Sequence, residues 1–156
     1  MRRIVLFSIL SLCSVVAEAG ECVVLLHGLA RTSTSMNRMQ RELDEAGFVT
    51  ANIDYPSRDY TVEELADKAV PEGLAACRAH EGIERIHFVT HSLGGILVRK
   101  YLSENEIEDL GRVVMLGPPN QGSAAVDELE GVPGFDWLNG PAGRQLGKGE
   151  DSVPLQ

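Results

Sequence analysis

The sequence predicts an α/β fold: a doubly wound, mainly parallel sheet with helices on both faces. Three observations predict it. Apolar, β-branched runs alternate four times with segments of helical periodicity, the order that builds a parallel sheet from right-handed crossover units. The first run, CVVLLHG (Cys22–Gly28), is apolar without interruption, as a strand buried on both faces must be. Glycine or proline closes most of the runs and periodic segments.

The elements follow in order. After the first strand, Thr34 and Ser35 offer a helix cap, and Met36, Met39, Leu43 and Ala46 recur at helical spacing until Gly47. FVTANIDYP (Phe48–Pro56) is β-branched and ends in proline, so it reads as the second strand. Thr61 and Glu64 have the spacing of a capping box ahead of Leu65, Ala69, Leu74 and Ala76. Pro71 should kink or restart that helix. IERIHFVTH (Ile83–His91) is the third strand and Leu93–Leu102 a third helix. Gly111 is expected to be a break before a fourth strand over Arg112–Gly117. From Pro118 onward Gly, Pro and Asn dominate, which predicts a long irregular excursion with one short helix around Ala124–Leu129.

Residues 1–19 have the build of a signal peptide: Arg2 and Arg3, an apolar stretch over Ile4–Val16, then small residues at Ala17 and Ala19. The stretch is too short to span a bilayer comfortably. The expected organisation is a signal peptide over 1–19 and one domain over 20–156, with export to the periplasm or medium. An uncleaved N-terminal anchor is the plainer alternative. The net charge of −9 disfavours nucleic acid and anionic membranes as partners. Stable membrane insertion after cleavage is not expected, and the oligomeric state is open.

The chemistry concentrates in IHFVTHSLGG (Ile86–Gly95). Ser92 follows a strand and opens a helix, the setting of a nucleophile elbow. A strand turning sharply into a helix needs small residues two before and two after the serine. Gly94 meets that demand and Gly95 extends it, while Thr90 stands where a first glycine would be. The competing reading makes Ser92 an ordinary polar helix cap. A second feature shifts the balance: LLHGLART ends the first strand in His27-Gly28, a turn of the kind that supplies an oxyanion-hole N–H. In a doubly wound sheet the first and third strands are neighbours, so the two loops meet at the topological switch point.

With VVLLHGLART, NIDYPS, IHFVTHSLGGILVRKYL and VVMLGPPNQGS taken together, the chain resembles an α/β-hydrolase of the bacterial lipase/esterase type, from about Cys22 to Gln156. Some bacterial lipases of this fold also replace the first elbow glycine by another small residue. The resemblance implies that Ser92 is the acyl-accepting nucleophile. It implies that the backbone N–H groups of Leu29 and Leu93 form the oxyanion hole, and that His27 organises the oxyanion loop. His91, one residue before the serine, is expected to point away from it, and His80 and His87 to be satisfied or solvent-facing. VPGFDWLNGPAG resembles the region between sheet and cap, with Phe135, Trp137 and Leu138 as a pocket wall, a lid or simple packing. No metal or organic cofactor is implied. The topology also brings Cys22, opening the first strand, towards Cys77, ending a helix that returns to the same end of the sheet, so a disulfide is expected in an oxidising compartment.

One requirement is unmet. Triad order in this fold is Ser, then Asp or Glu, then His, and all four histidines, His27, His80, His87 and His91, precede Ser92. Asp127, Asp136 and Asp151 follow it, but GPPNQG occupies the loop after the fourth strand. The sequence therefore reads as an α/β-hydrolase domain lacking its C-terminal part, with the triad acid and histidine not found in it. The expected function is ester hydrolysis through an acyl-enzyme on Ser92, acting on an ester or lipid. Acyl transfer from the same serine, and a catalytically dead or binding remnant of the fold, are the alternatives.

Overall fold

The computed structural model describes residues 20–123, 126, 128, 135–149 and 152–154. The signal segment expected over 1–19 lies outside the described residues, as does most of the short helix expected around 124–129.

Four parallel strands, β1 (Gly20–Leu26), β2 (Val49–Ile53), β3 (Ile83–His91) and β4 (Leu110–Leu116), form one sheet in the order β2-β1-β3-β4. The apolar run of β1 places it inside: it pairs on one side with β2 (Cys22 opposite Val49, Leu26 opposite Ile53) and on the other with β3 (Leu26 opposite Thr90). β3 pairs outward with β4, His91 standing opposite Leu116.

Strand alternation sends the side chains of β1 into two cores. Val24 and Leu26 pack under α2 (Val62–Arg78) and α3 (Leu93–Glu104) with Phe88, Leu65 and Leu97. Val23 and Leu25 face the other way, against Met36, Met39 and Leu43, which flank and line α1 (Asn37–Glu45). β4 is the outer strand of the described sheet, and Val114 and Leu116 are exposed on it. Among the described residues no helix is long and apolar enough to cross a membrane.

Several local expectations are corrected. Thr34 and Ser35 do not cap α1; they lie in a 3-10 turn over Ser33–Met36, because Thr32 takes the extended conformation one turn earlier and its carbonyl accepts from the Ser35 hydroxyl. α2 does not restart at Pro71 but continues through it from Val62 to Arg78. Its N-terminus carries the expected capping box between Thr61 and Glu64. Gly111 is not a break but part of β4: a methyl there would fall 2.3 Å from the His87 ring, so glycine makes room for that histidine. The excursion after Pro118 contains a helix, α4 (Phe135–Gln145), kinked at Gly140 where φ is 65°. The sequence hides α4 because glycine and proline lie within it. It is tied down from outside instead, since the Ala142 N–H donates to the Tyr60 carbonyl and the Val62 N–H to the Gln145 side chain.

Cys22 and Cys77 form the expected disulfide, with Cα atoms 5.7 Å apart and both residues fully buried. It joins the start of β1 to the last turn of α2, at the end of the sheet opposite Ser92.

Candidate active site

β3 ends at His91 and α3 begins at Leu93, leaving Ser92 alone to make the turn. Its backbone sits at φ 51°, ψ −116°, in the positive-φ territory that an L-residue occupies only under constraint. The constraint is visible: the Ser92 N–H donates to the Leu116 carbonyl at 2.9 Å, and its carbonyl accepts from the Gly95 N–H at 3.0 Å. The Ser92 side chain makes no capping hydrogen bond to α3. The helix-cap reading therefore fails, and the hydroxyl is left available at the carboxyl end of the sheet.

The small residues of the elbow have measurable reasons. A methyl on Gly94 would lie 2.7 Å from the Leu26 carbonyl oxygen and 3.0 Å from that of His27. Thr90 is fully buried where a smaller residue was expected, and the space its branched side chain needs is left by Gly95, on which a methyl would lie 3.2 Å from Thr90 Oγ1.

The loop after β1 meets the elbow as the topology requires. A methyl on Gly28 would fall 3.3 Å from Ser92 Cβ and 2.7 Å from His91 Nδ1. The backbone N–H of Leu93 is at the N-terminus of α3, where unpaired amides and the helix dipole favour developing negative charge. The Leu93 side chain is buried and that of Leu29 half-buried, the latter against α4, where a methyl on Gly143 would come 3.3 Å from Leu29 Cδ2. α4 thus borders the loop. Phe135, Trp137 and Leu138 belong to its first turns, but their side chains lie outside the described residues.

His27 is fully buried. Its Nε2 accepts from the Tyr55 N–H at 3.3 Å, which leaves Nδ1 to carry the proton and donate it to the Gly28 carbonyl at 2.9 Å. Burial lowers its pKa from the ordinary value, against weaker opposing effects from the Gly28 hydrogen bond and from Asp54, 3.7 Å away. The imidazole is accordingly neutral and works as a two-point brace. The other three histidines are apart from this role. His91 is exposed and opens onto a groove of about 580 Å³ lined by Arg31, Arg38, Met36, Met39 and Leu116. His87 accepts at Nδ1 from the Arg112 N–H, while Nε2 has no hydrogen-bond partner and lies 3.5 Å from Glu21. It is therefore only half satisfied, where full satisfaction or solvation was expected. His80 is exposed beyond α2. Among the described residues, none of the four histidines hydrogen-bonds to the Ser92 hydroxyl.

Comparison with known proteins agrees with this geometry. The sequence profile described as "Alpha/beta hydrolase family" matches residues 23–154. The chain belongs to the alpha/beta hydrolase family. Proteins of known structure resemble it over most of its length. The mature lipase BlEst2 of Bacillus licheniformis is 25% identical with a TM-score of 0.70, over 85% of this chain and 57% of the lipase. The phospholipase PlaB of Legionella pneumophila, determined in complex with thio-NAD, is 26% identical with a TM-score of 0.53, over 81% of this chain and 33% of PlaB. A monoacylglycerol lipase of Paleococcus ferrophilus shares the fold at 24% identity and a TM-score of 0.52, over 72% of this chain and 47% of that enzyme. The chain thus spans little more than half the length of the BlEst2 lipase. No curated protein sequence matches it significantly.

The family was legible in the sequence, and so was the meeting of the two loops. What sequence reasoning missed is Tyr55 and Ser57, which hold the loop after β1 from below. The signal was present in NIDYPS, quoted only as part of a resemblance.

Proposed function

We propose that this hydrolase is an exported carboxylic-ester hydrolase of the lipase/esterase kind, acting through an acyl-enzyme on Ser92. The observation that carries the reading is the conformation of Ser92, held at positive φ with a free hydroxyl and packed against the His27-Gly28 turn. In the reaction, Ser92 Oγ attacks the ester carbonyl carbon and the carbonyl oxygen becomes an oxyanion. The bond between the carbonyl carbon and the alcohol oxygen then breaks, the alcohol leaving with the proton given up by the Ser92 hydroxyl, and water cleaves the acyl-enzyme to the acid and restores that hydroxyl. Leu29 and Leu93 N–H groups receive the oxyanion, each donor of this type being worth about 3 kcal/mol in the transition state. His27 braces the loop that presents Leu29. A lipid or other ester as substrate is supported by the names of the lipase and phospholipase that the chain resembles. Export is supported by the Cys22–Cys77 disulfide, a bond that persists outside reducing compartments.

A second reading, an ester-binding module without turnover, draws on one specific observation: no histidine hydrogen-bonds to Ser92 among the described residues. A serine without a base is a weak nucleophile. A fluorophosphonate probe decides between them. Labelling that maps to Ser92 and vanishes in Ser92→Ala supports the hydrolase, and absence of labelling with retained binding of a fluorescent fatty ester supports the module. The 156-residue chain is expected to turn over nitrophenyl esters only very slowly, and fast turnover dependent on Ser92 would overturn that expectation.

A further inference from the structure

We propose that Tyr55 is a positioning residue that aims the Leu29 N–H at the reacting oxygen, through a double grip on His27. The proposal rests on the reading of Leu29 N–H as an oxyanion donor and extends it to a residue in the loop after β2.

The geometry runs through one peptide plane. The Gly28–Leu29 amide has the Gly28 carbonyl at one end and the Leu29 N–H at the other, and in a trans peptide the two point in opposite directions. Whatever holds the Gly28 carbonyl therefore aims the Leu29 N–H. That carbonyl accepts from His27 Nδ1–H at 2.9 Å and, more weakly, from the Arg31 N–H at 3.3 Å. The direction of the donor is thus set by the position and tautomer of the His27 ring.

Tyr55 sets both. Its ring stacks on the imidazole at a centroid distance of 4.0 Å and an interplanar angle of 10°, which fixes the ring plane. Its backbone N–H donates to Nε2 at 3.3 Å, which places the imidazole proton on Nδ1, facing Gly28. Its hydroxyl donates to the His27 carbonyl, anchoring the other end of the same residue. Tyr55 is itself buried, at 5% exposure, so its hydrogen bond is shielded from bulk solvent. The neighbouring residues extend the grip: Ser57 Oγ accepts from the Ala30 N–H at 3.0 Å, and Asp54 Oδ1 from the Ser33 N–H at 2.8 Å. Ala30 is held at a φ of 54°, a conformation that needs such support. The loop after β2 is a template on which the loop after β1 is cast.

The test reads the two donors separately. The 156-residue chain is phosphonylated with a fluorophosphonate, whose phosphoryl oxygen stands in for the oxyanion, and the Leu29 and Leu93 amide protons are followed by NMR before and after. Tyr55→Phe keeps the stack and the backbone bond to Nε2 and removes only the hydroxyl. It is expected to slow the maximal rate of labelling roughly three- to tenfold, the worth of one hydrogen bond, with probe affinity unchanged. The downfield shift at Leu29 is expected to shrink while that at Leu93 is retained. A merely structural role would move both donors, or neither. Ser57→Ala is expected to act in the same direction, and it bears the test if Tyr55→Phe loses its cooperative melt. Tyr60→Phe, altered at an exposed ring, is expected to label as wild type. Wild-type labelling with an intact Leu29 shift in Tyr55→Phe overturns the proposal and leaves the oxyanion reading standing. If wild-type protein shows a Leu93 shift but none at Leu29, or no labelling at Ser92, the oxyanion reading fails and the proposal falls with it.

Discussion

Thr90 and Gly95 share a single space beneath the elbow: a methyl on Gly95 would come within 3.2 Å of Thr90 Oγ1, 3.1 Å of Pro118 Cβ and 3.4 Å of Met115 Cγ. The threonine that departs from the expected elbow pattern is thus accommodated by a glycine five residues later. Gly95→Ala is expected to destabilise the chain by about 1–2 kcal/mol through overpacking. In a Thr90→Ala background the same substitution should cost less, by about 0.5 kcal/mol or more, because contacting residues couple. Urea unfolding of the two single variants and the double variant measures this. Additive costs would show that the two residues do not compete for the space.

Ser92 stores backbone strain at φ 51° and ψ −116°. Glycine adopts such a conformation without the Cβ penalty. Ser92→Gly is expected to stabilise the protein by on the order of 1 kcal/mol, the low end of the cost of a strained residue, while abolishing fluorophosphonate labelling. A lower unfolding midpoint for Ser92→Gly than for wild type would show that the turn is not strained.

The parts of the fold that were legible in the sequence are those set by local rules. The uninterrupted apolar run of β1, the Thr61–Glu64 capping box and Gly94, two residues after Ser92, each act within a few residues, and the adjacency of β1 and β3 followed from the doubly wound topology. The illegible parts depend on partners distant in the chain. Gly111 reads as a break, yet it is strand, because what it accommodates is His87, twenty-odd positions earlier. α4 contains Gly140, Pro141 and Gly143, so its local signal is that of a loop, and tertiary bonds to Tyr60 and Val62 override it. In the site, Ser92 and the His27-Gly28 turn announce themselves by motif. Tyr55 does not, because a tyrosine at the end of a strand is an ordinary core residue until its contacts to both ends of His27 are known.

The disulfide should contribute to stability without reaching the site. It closes a separation of 55 residues, for which the loss of chain entropy in the unfolded state gives a contribution of up to about 4 kcal/mol. Cys22 lies at the start of β1 and Ser92 at the end of β3, and since these strands are parallel neighbours the two are at opposite ends of the sheet. Unfolding with and without reductant should therefore show a loss of about 2–4 kcal/mol, while the Ser92 labelling rate of the still-folded reduced protein stays unchanged. A reduced protein that remains folded yet labels more slowly would reveal a coupling between the two ends.

His27 should give the stability of the protein an acid limb. Its pKa in the fold is lowered, chiefly by burial, from an ordinary value of 6.5. The folded state therefore keeps the imidazole neutral in a range where the unfolded chain takes up a proton. Stability rises with pH wherever the unfolded state binds more protons. The contribution is thus intact above pH 6.5 and is lost progressively as pH falls below it, levelling off once the folded-state pKa is passed. His27→Gln removes the titrating group while keeping a donor and an acceptor. It should lower stability near neutral pH, and the gap from wild type should narrow on acidification. Because all other titrating groups are common to the two proteins, the difference between their stability profiles isolates this residue. A gap that widens towards acid would mean that the folded state favours the imidazolium. His27 would then be a charged partner of Asp54, and its Nε2 would no longer be free to accept the Tyr55 N–H.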